Sequence, residues 1–443
     1  MEKNNVTQNP RETALLLIER LERRGAFTDR VLASPEVNAY DSRDRRFIRE
    51  AVTGVVRHKL RLDRIIGTYY TKRFESLEPF IIDVLRLGLY QMMFMDSVPD
   101  WAAVNESANI ASRERGRGAS GLVNALLRRF GREGEPPLPE DPIERITVEM
   151  SHPQWLVERW VQTYGVEEAG RIAGAGAARH PVHIRLREGR ITAESLRERL
   201  SEEGFGIDAI PGMDGYFSVD GGTGLFETQT FMNGLFTVQD PSAGLAVRLL
   251  APTSADNVLD LCAAPGGKAT QCAEMMGDEG CVTAVDINRK RLGLVREAAG
   301  RLGLGSIRYA EGDAGSFGGD GVYDKVLLDA PCTGTAVFSK RPDMKWRLES
   351  GDIERLSRLQ KGLLENAARL VEPRGVLVYS TCSLEPEEND DNIAWFLDTH
   401  PEFTADYDSR FAAFRRGNGY LIPPYTMGGA GAFAAKLIRT DTT

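Results

Sequence analysis

Cysteine is scarce in this chain, and what there is shows no C-x-x-C pair: five cysteines stand among 443 residues. An odd number without that spacing argues against a disulfide framework and a structural zinc site, so we expect free thiols and no metal. No apolar run approaches the roughly 18 residues that cross a bilayer, and the polar start Met1-Glu2-Lys3 shows no signal or transit pattern. We expect a cytoplasmic protein without membrane contact.

Positively charged residues are also outnumbered by acidic ones, since the formal net charge is -9. Nucleic-acid enzymes usually gain affinity from phosphate contacts. The distribution is uneven, however, because residues 1–74 carry 16 Lys and Arg against 10 Asp and Glu, a difference of +6, with a dense basic run from Arg43 to Arg64. Both a solvated face and an RNA-binding surface account for such a run.

Length and pattern predict several domains, because single cores rarely grow past about 250 to 300 residues. From Arg11 to Phe130 apolar residues recur at helical spacing. The proline-rich stretch Gly131–Pro142 cannot continue a helix and predicts a linker. The first predicted domain is therefore all-helical and covers residues 1–135.

Two further domains follow the linker. Residues 143–235 combine helical runs at Gln154–Tyr164 and Ala193–Glu203 with an alternating strand through Val182, Ile184 and Leu186, which predicts a small α+β subdomain. Residues 236–443 repeat the order strand, turn, helix, which predicts an α/β domain with a mainly parallel, doubly wound sheet. Its strand candidates are Val258–Leu261, Cys281–Val285, Ile307–Tyr309, Lys325–Leu328 and Val376–Tyr379.

Chemically useful residues stand at or just after the ends of these strands. In a parallel sheet, ligands bind beyond the carboxyl ends of the strands. The sequence therefore predicts one site at this edge of the sheet. The residues in question are Gly266, Asp286, Asp313, Asp329 and Cys382.

The segment Cys262-Ala263-Ala264-Pro265-Gly266-Gly267-Lys268 is a glycine turn suited to a nucleotide-like cofactor. Its glycines allow close backbone approach, and the helix that follows can present amides to a carboxylate. Asp286 stands 20 residues after Gly266, a spacing suited to ribose hydroxyls, and Asp313 is placed to meet an adenine amine. Together these features favour S-adenosylmethionine.

Two other cofactor classes fit the turn less well. A P-loop needs Gly at position 262 and Ser or Thr at position 269, where this chain has Cys262 and Ala269. A dinucleotide dehydrogenase normally shows G-x-G-x-x-G, which this turn does not match. S-adenosylmethionine therefore remains the expected cofactor.

Two cysteines follow neighbouring strands, Cys332 after Asp329-Ala330-Pro331 and Cys382 after Ser380-Thr381. Carbon 5 of cytosine is a poor nucleophile, so an enzyme that methylates it first adds a thiolate to carbon 6 and forms an enamine. A second group later removes the carbon 5 proton, and a cysteine or its bound water can serve as that base. The pair favours covalent methyl transfer, with either thiol as the nucleophile.

With these motifs the chain resembles the NOL1/NOP2/Sun family of RNA (cytosine-5) methyltransferases. The resemblance covers nearly the whole chain, since the helical block is similar to the NusB-like RNA-binding domain of the bacterial small-subunit rRNA members through Leu87–Gln91, Ala103–Glu106 and Leu122–Arg128. The matching segments elsewhere are Gln239–Ser242, Asp260–Thr270, Asp286, Gly312–Ala314, Asp329–Gly334, Arg341–Trp346 and Ser380–Asn389.

The resemblance implies a role for each site residue. Cys382 is the nucleophile, Cys332 assists release, and Asp329 hydrogen-bonds the cytosine near N3. The implied substrate is a cytosine in 16S rRNA, and the fold is a NusB-like domain, a small α+β subdomain and a Rossmann-like methyltransferase domain. The residues expected to line the S-adenosylmethionine site are Cys262, Ala263, Ala264, Pro265, Gly266, Gly267, Lys268, Asp286, Asp313 and Asp329.

Two departures from the family pattern bear on substrate choice. Thr333 and Ala336 change the usual Pro-Cys-Ser-Gly-Thr-Gly, and Met427–Phe433 lacks the usual Asp-Gly-Phe-Phe. The alternatives are a cytosine in tRNA or large-subunit rRNA, and a non-catalytic RNA-binding assembly factor. DNA is not the expected substrate, although methylation of duplex DNA, which requires flipping the base from the stack, stays a third option. A monomer is expected to suffice.

Overall fold

The computed structural model describes residues 9–219, 221–222, 224–319 and 321–440. They form two compact units. The first comprises the chain up to Ala178 together with Arg341–Arg347, and the second comprises Arg179–Lys340 and the chain from Leu348 onward. The domain limits 1–135, 143–235 and 236–443 remain predictions. The three helices after the linker lie within the first unit.

Every regular element described in the first unit is a helix, and the all-helical fold predicted for the N-terminal domain is confirmed. Buried apolar residues at helical spacing, such as Ile18, Val52 and Leu85, form its core. The last of the NusB-like helices runs to Glu133, a few residues into the predicted linker, and ends at Gly134 with φ 74°. The helices are α1 (Pro10–Arg23), α2 (Thr28–Leu32), α3 (Pro35–Asn38), α4 (Ser42–Arg57), α5 (Lys59–Tyr69), α6 (Pro79–Phe94), α7 (Asp100–Arg115), α8 (Arg117–Glu133), α9 (Pro142–Glu149), α10 (Gln154–Tyr164) and α11 (Val166–Ala177).

The segment Arg341–Arg347 belongs to this helical unit although it lies far along the chain. Lys345, fully buried, donates to the Arg57 carbonyl at 2.9 Å, and the Trp346 indole N–H donates to the Val56 carbonyl at 2.7 Å. The last carbonyls of a helix lack partners within it. The segment therefore caps the C-terminus of α4, and burial there holds the pKa of Lys345 well below its usual range.

The second unit begins with the sheet-containing part of the predicted α+β subdomain, without that subdomain's first helices. An antiparallel sheet of order β2-β3-β1-β4 packs Ile184, Phe217 and Phe236 against Leu196 and Leu200 of a helix. The strand β4 starts at Phe236, so the predicted boundary at 236 falls just before the last strand of this sheet. The elements are β1 (Val182–Leu186), α12 (Ala193–Glu202), β2 (Ile207–Ala209), β3 (Tyr216–Val219), α13 (Gln229–Met232) and β4 (Phe236–Val238).

The rest of the second unit is a nine-stranded mixed sheet with helices. All the predicted strands are present and parallel, in the order β9-β8-β5-β6-β7. The sequence did not indicate the antiparallel strands that extend the sheet beyond β9. The elements are α14 (Pro241–Leu250), β5 (Asn257–Leu261), α15 (Gly267–Met275), β6 (Cys281–Asp286), α16 (Arg289–Leu302), β7 (Ile307–Glu311), β8 (Tyr323–Asp329), α17 (Ser350–Leu370), β9 (Val371–Thr381), α18 (Asp390–Thr399), β10 (Phe403–Asp406), β11 (Arg415–Arg416), β12 (Gly419–Ile422) and β13 (Ala432–Arg439).

Within the described part of the chain, no helix combines the length and the apolar character that crossing a membrane requires.

Candidate active site

The predicted site residues gather at one edge of the large sheet. The parallel strands β5 to β9 end at Leu261, Asp286, Glu311, Asp329 and Thr381. Each predicted residue lies at or just beyond one of these ends. The strand ends therefore bring the glycine turn, the acids and both cysteines to the same edge, as the sequence predicts.

Cys332 and Cys382 are in direct contact. Their Sγ atoms are 3.2 Å apart, and the backbone N–H of Cys382 points at Cys332 Sγ at 3.3 Å. The contact follows from the sheet, because Asp329 lies opposite Ser380 where β8 pairs with β9. Each thiol comes within three residues after that pair, so parallel pairing delivers both to one point.

The surroundings make the two thiols unequal. The hydrogen bond from Cys332 lowers the pKa of Cys382 against the effect of burial, and the Lys268 ammonium lowers it further. The same hydrogen bond, together with burial, raises the pKa of Cys332 well above its usual range. The arrangement thus favours a thiolate on Cys382 and a protonated thiol on Cys332.

Asp329 is held by contacts on both carboxylate oxygens. Lys268 Nζ lies 2.6 Å from Oδ2, and the Ser380 hydroxyl donates to Oδ1 at 2.8 Å. Although burial opposes its charge, contact with Asp329 raises the pKa of Lys268. Lys268 therefore fixes the position of the Asp329 carboxylate.

A cavity of about 160 Å³ opens beside these groups. In its lining, Asp240 accepts from Lys340 Nζ at 2.5 Å and contacts His183 Nδ1 at 3.2 Å. Burial opposes this carboxylate, but His183 and Lys340 lower the pKa of Asp240 to about 2. The lining includes Asp240, Lys268, Asp329, Lys340, Cys382 and Phe433.

The glycine turn has a backbone that only small residues permit. Gly266 has φ 110°, and a Cβ at this position would lie 3.0 Å from the Cα of Val295. Cys262 also has a positive φ, 64°, and burial raises the pKa of its thiol to about 12. These features leave a close cradle of backbone at the start of α15 and an unreactive thiol beside it.

Asp286 and Asp313 occupy different positions around this turn. Asp286 is buried and accepts from the backbone N–H groups of Ala264 at 3.3 Å and Asn288 at 2.9 Å. Asp313 is exposed at the rim, where its Oδ1 accepts from Gly315 N–H at 2.9 Å. Asp286 therefore shapes the turn itself, and Asp313 stands further out on the same edge.

Asp260 is a site residue to which the sequence analysis assigns no role. It is fully buried at the end of β5, and neither carboxylate oxygen has a hydrogen-bond partner among the described residues. Burial, reinforced by Asp329 and Asp286, raises the pKa of Asp260 well above its usual range. An acid inside an otherwise apolar buried strand was the available signal, because such a group needs a partner.

The two departures from the family pattern lie against each other. Ala336 accepts from Gly431 N–H at 2.9 Å, and its own N–H donates to the Cys382 carbonyl at 3.1 Å. A Cβ on Gly431 would lie 3.1 Å from the Ala336 side chain. Ala430, Gly431 and Ala432 line the cavity, and the short side chain of Ala336 packs against Gly431 next to that wall.

The described residues contain no group of three or more His, Cys, Asp and Glu side chains arranged to hold a metal ion.

Three family models match successive parts of the chain. They are described as the NusB family (residues 8–132), the RsmF/B-like ferredoxin-like domain (152–216) and the 16S rRNA methyltransferase RsmB/F (247–438).

Full-length relatives are similar as well. The "Probable ribosomal RNA small subunit methyltransferase B" of Bacillus subtilis (strain 168) is 34% identical over 439 residues, which cover 96% of this chain and 98% of that protein. The ribosomal RNA small subunit methyltransferase B of Erwinia tasmaniensis is 30% identical over 433 residues, covering 97% and 99%.

Solved structures share the architecture. The crystal structure of PH0851 aligns with a TM-score of 0.78 and 26% identity over 97% of this chain and 98% of that one. NSun6 from Pyrococcus horikoshii, solved with SFG, aligns with a TM-score of 0.59 and 23% identity over 66% and 99%.

Proposed function

Because this chain belongs to the family of ribosomal RNA small subunit methyltransferase B, we propose that it methylates carbon 5 of one cytosine in 16S rRNA by covalent catalysis. The observation that carries the proposal is the contact of Cys332 and Cys382, 3.2 Å apart beside the glycine turn. Two thiols at one point match a reaction that needs a nucleophile and a group for release.

The residues of the turn fit S-adenosylmethionine. The Gly266 cradle would be filled by a Cβ, and the buried Asp260 carboxyl lacks a partner that a cationic amino group can provide. In this proposal Asp286 and Asp313, at and just beyond the ends of β6 and β7, contact the ribose and adenine groups. S-adenosylmethionine supplies the methyl group when it is bound, and Cys262–Lys268 with these acids would hold it.

Cys382 begins the reaction in this proposal. Its thiolate adds to carbon 6 of the cytosine, and the electron pair of the C5–C6 double bond moves so that carbon 5 becomes nucleophilic. After carbon 5 has been methylated, its proton is removed. The C6–S bond then breaks, which restores the double bond and the Cys382 thiolate. Lys268 and the Cys332 hydrogen bond favour the thiolate at the start and at the end.

Cys332 and Asp329 serve the other steps. Because the Cys332 thiol is itself protonated, a water that it binds takes the carbon 5 proton and passes it to solvent, and Cys332 assists release in this way. Asp329 hydrogen-bonds the ring near N3, and its contacts with Lys268 and Ser380 fix the carboxylate in one orientation. Orientation of this kind brings carbon 6 to the attacking sulfur.

We assign rRNA contact outside the cavity to the NusB-like helices. The run from Arg43 to Arg64 is partly engaged within the helical unit, as Arg61 pairs with Glu135 at 2.6 Å and Arg49 donates to the Leu32 carbonyl at 3.2 Å. Arg43 and Arg46 are exposed and are suited to phosphate contact.

The test is to incubate the pure protein with unmodified 16S rRNA and labelled S-adenosylmethionine and to map the product by mass spectrometry. We expect one 5-methylcytidine, absent with Cys382→Ala. Methylation only of tRNA or large-subunit rRNA would change the substrate. Cofactor binding without transfer to free rRNA or assembled subunit would instead favour an assembly factor.

A further inference from the structure

Glu388 is a buried acid that lies behind the two cysteines and has no role so far. It ends the short helical turn Pro386–Glu388 after β9 and is 0% exposed. Its carboxylate accepts from Thr333 N–H at 3.0 Å, from the Thr333 hydroxyl, from the Ser383 hydroxyl at 2.5 Å and from Gln360 Nε2 at 2.9 Å. The carboxylate is thus surrounded by donors.

These donors come from both cysteine turns. Thr333 directly follows Cys332, and Ser383 directly follows Cys382. Their hydroxyls also contact each other at 3.1 Å. One carboxylate therefore joins the residue after each thiol, although the whole of α17 and β9 lies between the two turns in the chain.

A third connection comes from Gln360 of α17. Its Nε2 donates to Glu388 and also to the Pro331 carbonyl at 2.9 Å, just before Cys332. Asn392 donates to Gln360 Oε1 at 2.9 Å and so fixes the amide orientation. The peptide on both sides of Cys332 is consequently bound to one buried network.

The network is suited to a charged carboxylate. Among the described residues no Lys, Arg or His side chain forms an ion pair with Glu388, and burial raises its pKa, while the bonds from Ser383, Thr333 and Gln360 oppose that shift. Ser383 Oγ accepts from Glu385 N–H at 3.0 Å, so its proton is free to point at Glu388. Removing such an acceptor leaves several buried donors unmatched, which is destabilising.

We propose that Glu388 is a positioning residue for methyl transfer, which holds the Cys332 and Cys382 turns together so that the two thiols stay in contact. Its importance for catalysis rests on the proposed function. The thiol contact can be measured without RNA or cofactor, so the two ideas can fail separately.

The measurement uses the azo oxidant diamide on the full chain. Both S–H bonds break, a Cys332–Cys382 disulfide forms, and the N=N group of diamide takes up the two hydrogens. The rate, followed by mass spectrometry of non-reduced peptides, reports how often the sulfurs meet. Glu388→Gln places an amide N–H₂ group against the N–H and hydroxyl donors that surround the native carboxylate. We expect this to lower the rate of disulfide formation at least tenfold. Methyl transfer should lose at least tenfold in kcat with little change in KM.

The matched control is Glu365→Gln on α17, where the glutamate is exposed, and it should leave both rates at the native value. Native rates of disulfide formation and kcat in folded Glu388→Gln would overturn the proposal, because Glu388 would then be structural only. If thermal unfolding shows that Glu388→Gln does not fold, Ser383→Ala decides, with about threefold slowing of both rates expected and native rates overturning the proposal. A slowed disulfide in a chain that methylates no RNA would support the positioning and reject the proposed function.

Discussion

The proposed function gives Cys332 and Cys382 different roles, and substituting each cysteine alone distinguishes these roles. Cys332→Ala should allow attack by Cys382 but impair release, because the thiol that binds the proton-accepting water is lost. We expect a protein–RNA adduct that survives a denaturing gel, at least tenfold above the native protein.

Cys382→Ala should give no adduct, since no thiolate reaches carbon 6. An adduct with Cys382→Ala in place of Cys332→Ala would reverse the two roles.

The acidity of Cys382 gives a second prediction for single residues. The hydrogen bond from Cys332 is the largest influence that lowers the pKa of Cys382. Alkylation of Cys382 by iodoacetamide needs the thiolate, so its rate should rise with pH through a midpoint below that of a free thiol. In Cys332→Ser the midpoint should change little, and in Cys332→Ala it should rise. Peptide mass spectrometry measures the rate at each pH, and an unchanged midpoint in Cys332→Ala would contradict the assignment.

The buried Asp260 carboxyl should lower the stability of the cofactor-free protein as pH rises. Its pKa is raised in the folded state, so its contribution to stability is complete below the unfolded pKa and is lost as pH rises through the folded pKa. Asp260→Asn has no such loss. The variant should therefore gain thermal stability over the native chain as pH rises from about 4, by ~1 kcal/mol or a few degrees.

The same substitution should weaken S-adenosylmethionine binding about tenfold, or ~1.4 kcal/mol, by titration calorimetry. Equal affinity would remove Asp260 from the cofactor site.

Strand β1 and helix α15 are joined by a buried ion pair. Arg185 and Glu274 are nearly inaccessible, with 3% and 1% of their side chains exposed. Arg185 also donates to Gln239 Oε1 at 2.5 Å. Among the described residues, Arg185→Met leaves Arg187, 4.0 Å away, as the one cation beside the Glu274 carboxylate. The substitution should cost about 3 kcal/mol in the free energy of unfolding.

The double variant Arg185→Met with Glu274→Met removes both charges and should recover most of that loss. Urea titration of both variants measures the difference. If the double variant were as unstable as the single one, packing rather than charge would explain the cost.

The elements show how far pattern alone can predict this fold. The parallel strands β5, β6, β7, β8 and β9 all lie where short apolar segments between turn residues predict them, although Ile307 is the only Val, Leu or Ile residue of β7. The last strand, Ala432–Arg439, contains mainly alanine in its first half, and alanine is depleted in strands. Its place depends on pairing with β9, which no local pattern reveals.

The candidate site likewise contains residues that the sequence predicts and residues that it does not. The cysteines, Asp329 and the glycine turn are predictable because strand ends in a parallel sheet meet at one edge. Asp260 is marked in the sequence as an acid inside an apolar strand, but its role depends on the groups around it. Glu388 has no such mark, because its importance lies entirely in which groups surround its buried carboxylate. Thr333 and Ser383 reach Glu388 only after the fold has brought both turns together.

At the scale of the whole molecule, the segment Arg341–Arg347 predicts how the chain behaves when it is cut. A protease site introduced between Ala178 and Arg179 would separate the first helices from the residues that follow. The fragments should stay together in gel filtration, because Lys345 and Trp346 remain bound to the carbonyls at the end of α4.

Trp346→Ala should make the fragments separate more readily, since it removes one of these bonds and the ring that lies 5.3 Å from Lys59 Nζ. Prompt separation of the native fragments after cutting would show that Arg341–Arg347 does not hold them together.

The capping of α4 by Arg341–Arg347 also bears on how genes for such proteins can be recombined. The helical unit is not a contiguous cassette, since a stretch encoded between β8 and α17 completes it. A chimera in which only the N-terminal coding segment was exchanged would place Lys345 against the helix end of a different protein. Exchange by recombination should therefore succeed only when the distant stretch travels with the N-terminal segment, so the two must be inherited together.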